Sequence, residues 1–163
     1  QASVMQDPDG GERTQAQEAL AWLKEGLLDI AEYGQPKGVR VLLEPLNHFE
    51  ANVFLTVLET VGFLRSLNHP NLGVLADTFH MNIEERCLTA SLMAAKGYLT
   101  HVHFADSNRR YPGAGHLNFG EVLEAMRLIG YDGFITIEVK QEPDPETAAR
   151  RGAQTVRALL DTL

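Results

Sequence analysis

The sequence has little of several features, and each shortage excludes a class of protein. A single cysteine, Cys87, excludes an internal disulfide and predicts a reducing, cytoplasmic location. No apolar run approaches the roughly 18 residues of a membrane span, and the polar start has neither part of a signal peptide. Only 14 Lys and Arg residues oppose 22 Asp and Glu, and the net charge of −8 argues against a nucleic-acid-binding protein. We therefore expect neither nucleic acid nor membrane as a partner.

The 163 residues, 44% of them hydrophobic, predict one globular domain of the α/β class. Residues 1–11 are polar and glycine-rich, and we interpret them as a flexible lead-in. Residues 12–163 alternate between a helical period and short apolar runs, which predicts an N-terminal helix followed by four strand–helix units with a parallel sheet. Strands are predicted over residues 39–44, 72–77, 98–104 and 134–138, and helices over 12–33, 53–67, 84–95, 119–129 and 145–163.

A side chain able to bind a metal stands at the end of each predicted strand. These four side chains are Glu44, Asp77, His103 and Glu138. Successive candidates lie roughly 30 residues apart, the length of one βαβ unit. Because the carboxyl ends of barrel strands share one mouth, we expect the four side chains to converge there. Three carboxylates with one imidazole predict a divalent ion that prefers oxygen ligands, with Mn²⁺ first and Mg²⁺ or Co²⁺ as alternatives.

Each candidate taken alone has an ordinary structural explanation. Glu44 could be a solvated strand end and Asp77 a helix N-cap. His103 shares a strand face with His101, since residues two apart face the same side, so the two could be hydrogen-bonded core histidines. Their joint occurrence at four strand ends favours the metal site. Cys87 has no base near it in sequence, so we interpret it as a buried small residue.

The number of units predicts an incomplete barrel. A closed (β/α)8 barrel takes roughly 250 residues, whereas this chain supplies four strand–helix units. A half barrel leaves two strand edges and an apolar interior face without neighbours. We therefore expect either a homo-oligomer or the N-terminal half of the same barrel to cover that face. A small open doubly wound sheet is the alternative architecture.

Five segments resemble a known family. They read EPLNHFE (44–50), LADTFHMNIEE (75–85), HVHFADSNR (101–109), PGAGH (112–116) and GYDGFITIE (130–138). Together they resemble the xylose-isomerase-like TIM barrels, and within them the D-tagatose and D-psicose 3-epimerase group. The resemblance covers about residues 15–160, the C-terminal half of such a barrel, and the segment 75–85 is its most specific part. Ala105-Asp106-Ser107 departs from the Gly-Glu that these epimerases tend to have.

The resemblance implies an isomerase-class enzyme that depends on a divalent metal and epimerises a ketose at C3 through a cis-enediolate. It implies that Glu44, Asp77, His103 and Glu138 are the metal ligands. Glu44 and Glu138 would also move the proton, one on each face of the sugar.

The resemblance also implies which residues bind the sugar. Glu50, His80 and Arg109 match positions that contact substrate oxygens or orient the catalytic carboxylate. Asp77 and His80 stand three residues apart on what we expect to be one loop.

Three other functions stay open. The same two glutamates could serve an aldose–ketose or hydroxypyruvate-type isomerase, which moves the proton between neighbouring carbons. An endonuclease IV-like abasic-site nuclease would need three zinc ions and further histidines, including an Asp-x-His pair that His116 does not form. The chain could also be an inactive fragment of such an enzyme.

Overall fold

The computed structural model describes residues 15–163, so the predicted lead-in over residues 1–11 lies outside the described part. It shows a four-stranded parallel sheet with six α-helices, a partial barrel. The strands are β1 (Val41–Leu43), β2 (Leu72–Asp77), β3 (Leu99–Phe104) and β4 (Phe134–Ile137). The helices are α1 (Gln15–Gly34), α2 (Val57–Leu67), α3 (Thr78–Glu84), α4 (Leu88–Ala94), α5 (Phe119–Leu128) and α6 (Pro145–Leu160).

The strands pair in the order in which they follow along the chain, β1-β2-β3-β4. All three pairings are parallel, and the register of β2 against β3 shifts between Val74 and Leu75. Asp77 is thereby placed opposite His103, and Thr136 opposite His103 on the other side. The predicted α/β class and the parallel order are confirmed.

The core lies between the sheet and the helices. Its largest fully buried apolar side chains come from β3, α2, α3 and α4, and are Phe104, Leu64, Met81 and Leu92. The three- and four-residue spacing of Leu20, Leu23, Leu27 and Ile30 predicts an apolar stripe on α1. The stripe is buried at Leu27 but not at Ile30, which is 56% exposed. Ala31 is fully buried in its place, because the small side chain lets the helix lie close to the sheet.

The helix predicted over residues 84–95 is wrong as drawn. Within this range the structure has α4, which begins only at Leu88. The preceding helix, α3, ends at Glu84, and residues 85–87 between the two helices are not helical. α3 begins directly after β2 because the Asp77 carboxylate accepts the backbone N–H of Phe79 and so caps the helix. His80 therefore lies on a helix and not on the expected loop.

The face of the sheet opposite the helices is partly open. His101 and His103 lie on this face with Thr136, whose hydroxyl is 2.8 Å from His101 Nε2. Phe134, two residues before Thr136 and on the same face, is 81% exposed. No helix of residues 15–163 is long and apolar enough to cross a membrane.

Candidate metal centre and active site

The structure brings the four predicted ligands together at the carboxyl end of the sheet. Asp77 ends β2, His103 lies near the end of β3, and Glu44 and Glu138 directly follow β1 and β4. One ligand atom from each of the four lies within 4.8 Å of the others. Since the strands are parallel, their carboxyl ends meet at one edge, which is why sequence positions so far apart converge.

Two buried polar atoms of this group have no hydrogen-bond partner within the described residues, Asp77 Oδ2 and His103 Nδ1. His103 Nδ1 lies 3.8 Å from Glu44 Oε1, 3.8 Å from Asp77 Oδ2 and 3.3 Å from Glu138 Oε2. A buried polar atom is normally satisfied, because leaving it unpaired costs free energy. Both orphaned atoms point into the same small space, so the donor set fits a divalent cation.

Asp77 uses its two carboxylate oxygens for different purposes. Oδ1 accepts the backbone N–H of Phe79 at 2.8 Å and begins α3, while Oδ2 faces the ligand group. The adjacent Thr78 hydroxyl donates to the carbonyl of Ala105 at 2.7 Å, which ties the start of α3 to the end of β3. The N-cap and the metal-site interpretations of Asp77 are therefore compatible.

The electrostatics of the group also suit a cation. Burial, followed by the negative charge of Glu138, raises the pKa of Glu44 to about 6. Burial raises the pKa of Asp77 to about 7, although the nearby Arg109 charge and the Phe79 N–H act in the opposite direction. Both carboxyl groups hold protons mainly because burial disfavours their charged forms, and the neighbouring carboxylates add to this effect. A bound cation would stabilise the charged forms.

Arg109 reaches over the ligand group from the loop after β3. Its Nη2 donates to Glu138 Oε2 at 2.7 Å and lies 3.5 Å from Asp77 Oδ2. The guanidinium also stacks over the Phe79 ring, 4.7 Å from the ring centroid. Arg109 thus fixes the direction of the Glu138 carboxylate, which is 49% exposed at its side chain.

His80 is buried, and Asn47 sets its protonation. The backbone N–H of Asn47 donates to His80 Nδ1 at 3.2 Å, and the Asn47 side-chain amide lies 2.7 Å from the same atom. Burial and the Arg109 charge lower the pKa of His80, so the ring is neutral and carries its proton on Nε2. Arg109 Nη1 lies 2.9 Å from that Nε2. Since a guanidinium can only donate, the two N–H groups do not bond to each other in this tautomer, and an oxygen that contacts both could accept from both.

Asn47 is a site residue that the sequence analysis missed. Its side chain is buried, and its amide donates to Glu50 Oε1 at 3.1 Å while it also approaches His80. Among the described residues, Glu50 bonds to Asn47 and not to Glu44, so any effect of Glu50 on Glu44 acts through charge. The signal was an Asn three residues beyond a strand-end carboxylate, where Asn commonly shapes a turn.

The predicted shared face of His101 and His103 is confirmed, whereas the predicted burial of Cys87 is wrong. His101 and His103 do lie on one strand face, with ring centroids 5.2 Å apart, and His101 is held by Thr136 outside the ligand group. The prediction for Cys87 is wrong, because its side chain is exposed at the start of α4 and contacts the Thr89 hydroxyl. Cys87 is the N-cap residue of α4, and Arg86 directly before it is exposed as well.

With this geometry established, comparisons with known proteins identify the family. The family model described as xylose isomerase-like TIM barrel matches residues 3–159. The chain belongs to this family. It is 39% identical over 114 residues to the D-psicose 3-epimerase of Ruminiclostridium cellulolyticum, a match that covers 70% of this chain and 39% of the relative. It is 40% identical over 109 residues to the L-ribulose 3-epimerase of a Methylomonas species, covering 67% of this chain and 38% of that protein.

The fold comparison agrees with the sequence comparison. A crystal structure of D-psicose 3-epimerase in the presence of D-fructose superimposes with a TM-score of 0.84 and 29% sequence identity. The match covers 92% of this chain and 59% of that one. The sequence matches to the two curated 3-epimerases cover about two fifths of the length of each, and both relatives are isomerase-class enzymes.

Proposed function

We propose that the protein is a divalent-metal-dependent sugar epimerase that inverts C3 of a ketose. One observation carries the proposal, the convergence of Glu44, Asp77, His103 and Glu138 with unpaired ligand atoms on Asp77 and His103. The 3-epimerase names of the curated relatives support the same reaction class.

The metal would be held by these four side chains. Three carboxylates and one imidazole favour Mn²⁺ or Mg²⁺, with Co²⁺ tolerated, whereas zinc more often recruits further His or Cys ligands. When bound, such an ion supplies Lewis-acid stabilisation of the negative charge that develops on a carbonyl oxygen.

The proton transfer would be done by Glu44 and Glu138. They follow the first and last strands of the sheet, so they flank Asp77 and His103 from opposite edges. One carboxylate accepts the proton of the C3–H bond, and the electron pair of that bond spreads onto the C2 carbonyl oxygen. The other, as a carboxylic acid, then returns a proton to C3 from the opposite face. General acid–base catalysis of this kind contributes about 10²- to 10⁴-fold.

The sugar oxygens would be held by His80, Arg109 and Glu50. His80 Nε2 and Arg109 Nη1 lie side by side, 2.9 Å apart, and an N–H group on each can donate to a substrate oxygen bound next to them. Glu50, fixed by the Asn47 amide, can accept from a sugar hydroxyl. These groups orient the ketose so that its C3–H bond points at a carboxylate.

Aldose–ketose isomerisation is the nearest alternative, because the same two glutamates could move a proton between C1 and C2. The abasic-site nuclease has less support. A single group of candidate metal ligands occurs within residues 15–163, and it contains one histidine.

The sheet also needs a neighbour. β1 and β4 are its two outer strands, and Phe134 on β4 is largely exposed on the face opposite the helices. We infer that further barrel strands, from a second copy or from the other half of the same barrel, pair with these edges. Light scattering coupled to gel filtration distinguishes a self-associated chain from a monomer. The cytoplasmic location stays a prediction.

The experiment is turnover of D-fructose and D-tagatose by this chain in Mn²⁺, with metal-stripped protein as the control. The expected result is metal-dependent formation of the C3 epimers. Aldose products in place of C3 epimers would select the isomerase. If the protein binds Mn²⁺ but turns over neither sugar, the inactive-fragment reading or another substrate replaces the proposal.

A further inference from the structure

The loop that follows β3 is built around one buried carboxylate, that of Asp106, which is fully buried. Its Oδ1 accepts the backbone N–H groups of Ser107 at 2.8 Å and Leu117 at 3.1 Å. Its Oδ2 accepts the backbone N–H of Gly113 at 2.8 Å. All three donors belong to the loop itself, so one side chain fixes the loop at its start, middle and end.

The same loop sets the backbone of Arg109. The Asp106 carbonyl accepts the Arg109 N–H at 2.8 Å, and the Asp106 N–H donates to the Arg110 carbonyl at 2.8 Å. Arg109 has a φ of 60°, a left-handed conformation that a non-glycine residue adopts only when its surroundings impose it. The Lys140 N–H donates to the Arg109 carbonyl at 2.7 Å, so Arg109 is also tied to the segment that carries Glu138.

The glycines of the loop fit this arrangement. Gly113 has a φ of 92°, which favours glycine. A Cβ atom at Gly115 would overlap Asp106 Oδ1 and the Ser107 hydroxyl. The glycines of the Pro-Gly-Ala-Gly segment (112–115) are therefore explained by a left-handed turn and by close approach to a carboxylate.

The Asp106 carboxylate is held in its ionised form. Burial is the largest single influence and raises its pKa, but the backbone N–H groups that face the carboxylate, those of Leu117, Gly115, Ser107 and Gly113, together lower the pKa below its usual range. An ionised acceptor makes stronger hydrogen bonds than a neutral one, so the loop has a rigid anchor at neutral pH.

We propose that Asp106 is a positioning residue, which fixes the loop of residues 106–117 so that Arg109 contacts Glu138 and approaches His80. Within the described part of the chain, none of the hydrogen bonds of Asp106 goes to the ligand group, so it acts through Arg109. The relevance to catalysis rests on the proposed epimerase function. The placement of Arg109 can be measured without turnover.

The test compares two substitutions of the same type. Asp106→Asn replaces an acceptor oxygen by an amide NH₂ group, so at least one of the three N–H groups loses its acceptor. Asp144→Asn is the matched control, because Asp144 caps α6 by accepting the Thr147 N–H and Asn caps a helix equally well. The readouts are amide hydrogen exchange and the slowly exchanging guanidinium N–H signal of Arg109 in NMR spectra.

The expected result is exchange about 10-fold faster at Gly113 and Leu117 in Asp106→Asn, with the Arg109 guanidinium signal lost. Exchange at Val102 in the core should not change. In Asp144→Asn, exchange at Gly113 and Leu117 and the Arg109 guanidinium signal should stay as in the wild type. An unchanged Arg109 signal in Asp106→Asn overturns the proposal. If that variant does not fold, Gly115→Ala, whose methyl group displaces the carboxylate, is measured in the same way with the same two outcomes.

Turnover kinetics give a second, independent test of the positioning role of Asp106. Asp106→Asn should lower kcat/KM, and in an Arg109→Ala background the same substitution should add less than about a 2-fold further loss, since both act through one group. An equal loss in both backgrounds contradicts action through Arg109. If the wild-type chain turns over neither sugar but the exchange results are as expected, the proposed function fails while the positioning role stands.

Discussion

Asn47 and His80, 33 residues apart in the sequence, are joined by the backbone N–H of Asn47, which donates to His80 Nδ1 at 3.2 Å. The Asn47 side-chain amide lies 2.7 Å from the same nitrogen. The contact favours the neutral tautomer of His80 that carries its proton on Nε2, where it can be donated to a bound oxygen but not to the guanidinium of Arg109, which has no acceptor. A residue of the loop after β1 thus sets the hydrogen-bonding role of a residue on α3.

Asn47→Ala should weaken sugar binding and leave the metal site intact. The substitution removes the amide from His80 and from Glu50, and unpaired buried polar groups cost about 1–3 kcal/mol. We expect roughly a 10-fold fall in kcat/KM, mainly through KM, with Mn²⁺ affinity unchanged.

Asn118→Ala is the control for Asn47→Ala. Asn118 caps α5 by accepting the Glu121 N–H, so its loss should lower stability by about 1 kcal/mol without a change in KM. Equal KM effects in the two variants would show that the Asn47 effect reflects stability alone.

Glu138→Gln should abolish turnover. The amide keeps the size of the side chain and can still accept from Arg109, but it can neither accept the C3 proton nor return one. The rate should fall by about 10²- to 10⁴-fold. Glu142→Gln is the control, since Glu142 is an exposed carboxylate four residues later that pairs with Arg110. Full activity of Glu138→Gln with metal bound would refute the mechanism with two glutamates.

The strands and the sheet edge that they share could be predicted from the sequence, because each depends on a short local pattern of residues. The runs ending in Glu44, Asp77, His103 and Glu138 are apolar at nearly every position, and their spacing matches strand–helix units, so both the strands and their shared edge could be predicted. The structure places these side chains together. Their role as metal ligands stays a prediction.

The predictions from sequence were wrong or incomplete where contacts between distant segments determine the structure. Ile30 is more apolar than Ala31, yet the smaller residue is buried, because closeness to the sheet outweighs apolar character. The α3 helix has 7 residues, too short for a periodic signal, and it forms because Asp77 caps it. The role of Asn47 could not be predicted, because it depends on the contact between the loop after β1 and His80 on α3.

Stability of the metal-free protein should depend on pH through Asp77. Its folded-state pKa of about 7 lies above the ordinary value of 3.8, so the folded state binds this proton more tightly than the unfolded state. The stabilising contribution is therefore present at low pH and is lost as the pH rises from about 4 to about 7. Glu44, with a pKa of about 6, changes in the same direction.

Asp77→Asn isolates this contribution. The amide oxygen can still accept the Phe79 N–H and cap α3, but no charge is buried. The difference in Tm between Asp77→Asn and the wild type, both without metal, should grow in favour of the variant from pH 4 to pH 7.5. A difference that is constant with pH would contradict the raised pKa.

We expect Glu44, Asp77, His103 and Glu138 to hold one divalent cation together. The most direct measurement is a Mn²⁺ titration of the metal-stripped chain followed by electron paramagnetic resonance, with His103→Gln beside it. His69→Gln is the control, because His69 precedes β2 at the opposite end of the sheet. We expect one bound Mn²⁺ per wild-type and His69→Gln chain, and an Mn²⁺ affinity at least about 10-fold weaker in His103→Gln. Equal Mn²⁺ binding by the wild type and His103→Gln, or no binding by the wild type, would contradict this expectation.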